Sequence, residues 1–152
     1  GLQLFHLDRL FWARNWTEAA DRPAWREGLR DVLAGGEWII DGNYGSTMEM
    51  RVEACDTVIL LDFPNYVWAC HVNKRFFLYR QGGRPDMAEG CREKLDWEFI
   101  KWTWTYPKRS RPRVEELLKK FEGEKTIIRL KSNAEIEEFF AKFPANSVLK
   151  CG

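Results

Sequence analysis

Three aspartates and a set of arginines carry most of the chemistry available to this chain. Asp8, Asp41 and Asp62 each stop an apolar run, in LQLFHLD, EWIID and TVILLD. A carboxylate in such a place sits at the rim of a sheet, where it can accept a hydroxyl proton or hold a metal-bound water. Arg75, Arg80 and Arg84 flank the pair Gly82-Gly83, and Arg109 and Arg111 form a second cluster. A guanidinium fork grips phosphate oxygens bidentately, so this set points to phosphate. A basic loop closing on a glycine hinge would exclude water and supply charge to a phosphoryl group in transfer. The plainer role stays open beside it, since basic residues favour helix C-termini in any case.

The charge is distributed to match. From His71 to Arg113 there are 11 Lys and Arg against 5 Asp and Glu, whereas the remainder has 13 against 18. A basic stripe on an acidic body suits phosphate or nucleic acid better than a membrane surface. The 152 residues suffice for one domain that buries roughly two-thirds of its unfolded surface. Cys55, Cys70, Cys91 and Cys151 show no CxxC spacing, which suits reduced thiols. The apolar runs fall far short of the ~20 residues that span a bilayer, and GLQLFHLD is no signal peptide. These are the marks of a cytoplasmic protein.

The elements that must position these residues follow from pattern. Leu2 to Leu7, Glu37 to Asp41, Thr57 to Asp62 and Lys125 to Leu130 read as strands. Asp21 with Pro23 starts a helix that Gly35-Gly36 ends by offering a conformation other residues resist. Pro64 prepares a helix from Tyr66 to about Arg80, and Gln81-Gly82-Gly83 stops it. Lys94 to Trp104 has Leu95, Phe99 and Trp102 at helical spacing, with Pro107 and Pro112 separating it from a helix striped by Val114, Leu117, Leu118 and Phe121. Ser132 and Glu135 form a capping box before a last helix that turns Ile136, Phe139 and Phe140 inward. The alternation implies an α/β layer fold with a parallel sheet, whose ligands bind beyond the carboxyl ends of the strands.

At HLDRLFW, WIIDGNY, TVILLDFP, and above all RPDMAEGC followed by LDWEFIKWTWTYPKRSRP, the chain resembles the DNA topology modulation family, small P-loop proteins related to adenylate kinase. The likeness runs from Phe5 to about Phe143. It implies a three-layer P-loop NTPase-like fold, a parallel sheet with helices on both faces, in one domain over 1–152 with a lid-like insert at about 81–93. It also implies a strand, a G-x-x-x-x-G-K-[ST] loop and a helix ahead of the HLD strand. No GK[ST] occurs in the chain, so the phosphate cradle and its lysine are absent from it. The first strand of such sheets lies between the third and fourth, and its absence leaves two apolar edges facing a gap. A chain with this pattern, starting at Gly1, is expected to be part of a longer protein.

The resemblance assigns roles residue by residue. Asp8 would be acceptor ligand or base, with His6 or Arg9 beside it, although His6 reads more readily as a structural histidine. Asp41, in DGNY, matches the aspartate of the adenylate-kinase DGFPR segment and would hold magnesium-bound water, or else merely begins a turn. Tyr44 and Gly45 replace the proline and arginine of that segment, so base recognition is not carried over. Arg75 and Arg80 would act in catalysis, Arg84 and Arg111 in binding the cofactor, and Asp62 fixes a turn. ATP and Mg2+ are the expected cofactors, and a nucleotide or small hydroxylated metabolite is the expected acceptor. The chain would then be the acceptor and lid portion of an ATP-dependent kinase, inactive without its P-loop. A homo-oligomer stays open.

A second reading comes from a different class. Trp97, Trp102, Trp104 and Tyr106, with Lys108 and Arg109, resemble an aromatic-basic surface that stacks bases, which would make segment 71–113 a nucleic-acid-binding module. At helical spacing such a stripe commonly packs in a core, and part of it is expected to be buried.

Overall fold

All three runs that end in aspartate form strands, and the strands pair in parallel. The structure is a computed structural model that describes residues 2–13, 17–18, 21–79, 86–87, 91 and 97–142. Strand β1 (Gln3–His6) lies beside β4 (Trp38–Asp41), in a register that pairs His6 with Asp41. Strand β5 (Thr57–Leu61) lies beside β6 (Thr126–Leu130), in a register that runs from Thr57↔Thr126 to Leu61↔Leu130. The fold is therefore mixed α/β with two separate parallel two-stranded sheets. A short antiparallel pair joins β2 (Trp12–Ala13) to β3 (Thr17–Glu18).

The chain divides into two compact units. The first comprises residues 1–48, 79–93 and 143–152, and the second comprises 49–78 and 94–142. In the first unit, α1 (Leu7–Phe11) follows β1 directly, and α2 (Arg22–Ala34) connects onward to β4. The Asp21 carboxylate caps α2 by accepting from the Ala24 amide at 2.8 Å, with a proline in the first turn, as the sequence implies. Leu7, Phe11, Trp25 and Leu29 are buried. Phe11 and Trp25 meet edge to face with centroids 5.1 Å apart, and each lies 5.1 Å from the Tyr44 ring. Met87 and Cys91, in the segment expected to be a lid, are buried too.

In the second unit, α4 (Asn65–Tyr79), α5 (Trp97–Arg109) and α6 (Arg111–Lys120) intervene between β5 and β6, and α7 (Asn133–Lys142) follows. Its core is Val52, Phe63, Val114, Leu118, Phe121 and Leu130. Helix α3 (Gly45–Ala54) begins in the first unit and ends in the second.

Several expectations need correction. Asp8 does not end the strand: β1 stops at His6, and Asp8 stands in the first turn of α1, where a carboxylate complements the helix dipole. Pro107 does not break a helix but lies inside the last turn of α5, and the break falls at Ser110. Gly35 ends α2 with φ −67° and ψ 150°, extended backbone open to any residue. Backbone geometry demands glycine instead at Gly42, with φ +142°, and at Gly123, with φ +88°. A Cβ at Gly42 would come within 2.8 Å of the Leu7 Cβ. The last helix leaves Phe140 exposed rather than inward. Among the described residues, no helix is long and apolar enough to cross a membrane.

Candidate functional site

The parallel pair β1–β4 ends in a group of polar side chains. Because His6 and Asp41 are register partners, their side chains emerge next to each other, with His6 Nδ1 3.0 Å from Asp41 Oδ2. Asp41 is 66% exposed, while His6 is half-buried. Against an ionised carboxylate the ring proton belongs on Nδ1, which leaves the Nε2 lone pair to accept a proton. Just beyond β1, Asp8 Oδ1 accepts a 2.6 Å hydrogen bond from the Tyr44 hydroxyl. Phe11 and Trp25 clamp the Tyr44 ring, so the phenol is aimed by packing. Burial, then the Asp8 hydrogen bond and charge, hold the Tyr44 pKa far above its ordinary value, so it stays a donor at any ordinary pH.

A carboxylate offers about four lone-pair directions, and Tyr44 uses one of them on Asp8. The group thus combines an oriented imidazole, an exposed carboxylate and a second carboxylate with capacity to spare. It can position a hydroxyl and take its proton.

The parallel pair β5–β6 ends differently. Asp62, whose side chain is 11% exposed, accepts from Arg111 Nη2 at 2.7 Å. The Nε of Arg111 lies 3.6 Å from Glu115, which receives both Nη groups of Arg129, at 2.8 and 2.6 Å. The guanidinium of Arg129 holds the Glu115 carboxyl below its usual range. Two acids and two bases neutralise one another here. Asp62 therefore secures the end of β5 by an ion pair, and its amide continues the ladder to the Leu130 carbonyl at 2.8 Å. Arg111, read from sequence as a cofactor-binding residue, has its charge satisfied within this network.

The other sequence candidates are distributed as follows. Asp8 and Asp41 both lie in the first unit, at the end of β1–β4. Arg75 is half-buried in the second half of α4, in the second unit. Arg80, Arg84 and the Gly82-Gly83 hinge lie outside the described residues. Two residues not chosen from sequence, His6 and Tyr44, join the site. The alternation of His6 with Asp8 hinted at the first, but its pairing with Asp41 depends on strand register. Tyr44 looked like a departure from a motif, and its bond to Asp8 arises from a turn that Gly42 makes.

No group of three His, Cys, Asp or Glu among the described residues could hold a metal ion, and the sequence has no GK[ST] loop. The tryptophan segment departs from expectation as well: Trp97, Trp102 and Trp104 are all exposed, and Tyr106 is half-buried against Trp102 at 5.5 Å. No protein-family model matches the chain, and neither a curated protein nor a solved structure matches it.

Proposed function

We propose that this chain supplies the acceptor-binding part of an adenylate-kinase-like phosphoryl-transfer fold, with the phosphoryl donor held by other polypeptide. The observation that carries this reading is the polar group at the carboxyl end of β1–β4: His6 against Asp41, and Asp8 against Tyr44. In parallel α/β folds ligands bind at that end. Asp8 and Tyr44 orient an acceptor hydroxyl, and His6, aligned by Asp41, accepts its proton. The strand pairing supports the same reading. In a sheet whose first strand lies between the third and fourth, removing that strand leaves the second with the third and the fourth with the fifth. Here β1 pairs with β4 and β5 with β6, both in parallel.

The test is a titration of the purified chain with nucleosides, nucleoside monophosphates and polyols, followed through the His6 ring resonances. A hydroxyl-bearing ligand is expected to shift them, and Asp8→Asn to weaken its binding roughly tenfold or more. A panel in which no ligand perturbs His6 sinks the reading. So does micromolar Mg·ATP binding by this chain, which would place the donor site within it.

A further inference from the structure

Helix α5 presents a face on which tryptophan and lysine alternate. Trp97, Lys101, Trp104 and Lys108 are spaced by four, three and four residues, which sets them in one line along the helix. Trp97 is 75% exposed and Trp104 60%, and both lysines are exposed. Neither lysine makes an ion pair among the described residues. Glu98, the acid in the first turn, lies about 100° round the helix from Trp97. Trp104 is anchored from behind: it borders a small apolar recess with Ala69, Val72 and Ile100, and its carbonyl accepts from the Asn65 amide at 3.3 Å. Its ring is thus both held and offered to solvent.

Large apolar side chains gathered on one exposed face and rimmed by polar residues mark an interaction surface. The interleaved charge identifies its ligand. Two unneutralised lysines on the face repel a second copy of the same face and attract a polyanion. The indoles need flat apolar faces, and nucleobases supply them. Trp97 and Trp104 are seven residues apart, about 10 Å along the axis, whereas duplex bases are stacked ~3.4 Å apart with their faces occupied. Only an unstacked strand can lay one base on each ring.

We propose that this face of α5 binds single-stranded nucleic acid, with Trp97 and Trp104 stacking bases and Lys101 and Lys108 contacting the intervening phosphates. DNA and RNA serve alike, since neither stacking nor charge reads the 2′-hydroxyl. The proposal draws on the second unit alone and stands independently of the acceptor site.

The experiment is fluorescence anisotropy of labelled dT20 and rU20 at low salt, with a 20-base-pair duplex as comparison. Both single strands are expected to bind more tightly than the duplex. Trp97→Ala and Trp104→Ala should each weaken binding roughly 5- to 150-fold, the range for loss of one stacked base. Replacing both lysines by alanine should flatten the slope of log affinity on log salt by about 1.4, for two phosphates on a single strand. All four side chains are exposed, and circular dichroism checks that the variants fold; Phe140→Ala, exposed on α7, should bind like the parent chain. Equal or tighter duplex binding overturns the proposal, as does single-strand binding indifferent to both tryptophans. Absence of oligonucleotide binding overturns it too, whether the face then joins anionic vesicles or a second copy of the chain.

Discussion

The two parallel strand pairs are built alike and finish differently. At the end of β1–β4, Asp41 is largely exposed and shares one contact with an imidazole, and Asp8 accepts one phenolic proton. At the end of β5–β6, Asp62 is nearly buried and closed off by Arg111, which in turn leans on Glu115 and Arg129. A carboxylate with a full-strength cationic partner in a sheltered place has its interactions spent on holding the fold. A carboxylate in water beside a weak partner can exchange that partner for a ligand at little cost. The same residue type at equivalent strand ends therefore stands in two different settings, and the neighbours decide which.

The largest expected effect comes from breaking the first of these ends. Gly42→Ala puts a Cβ 2.8 Å from that of Leu7 and imposes a φ of +142° on a residue with a side chain. It should cost about 3 kcal/mol or more. Hydrogen exchange should show faster opening in β1–β4 than in β5–β6. Uniform loss of protection across both pairs would mean that the two ends do not differ in this way.

Next in size, Asp62→Asn leaves Arg111 without its sheltered anion and should lower stability by about 1–3 kcal/mol in a denaturant titration. A neutral outcome would show that Glu115 alone suffices for Arg111. The smallest effect sharpens the contrast. Asp41→Asn should change stability by less than about 0.5 kcal/mol, since the pair it breaks is exposed. A loss as large as that from Asp62→Asn would make His6–Asp41 a structural tie and erase the distinction.

Much of the scaffold was legible because local signals agreed with it. TVILL, WIID and TIIRL are apolar and bounded, and each is a strand. Asp21 and Ser132 announce helices by their side-chain chemistry, and both caps form. Helix α3 was missed because GSTMEMRVEA has no single apolar face: it buries Thr47 and Val52 and leaves the rest to neighbours. Helix α1 was hidden inside an apolar run that strand and helix share. The site was legible as a list of acids but not as pairs, because pairing is set by register and by a turn at Gly42. The tryptophans were legible as an aromatic-basic surface or as a core stripe, but helical spacing cannot say which face meets solvent, and their exposure decides between the two.

The partners in the two ladders lie at very different distances along the chain. Gln3 meets Trp38, 35 positions on, whereas Thr57 meets Thr126, 69 positions on. Each doubling of a closed loop adds about 0.6 kcal/mol of entropic cost. Chain closure by itself thus gives the ladder bearing His6 and Asp41 a small kinetic head start during refolding, which favours pairing of that rim before the other ladder finds its mate.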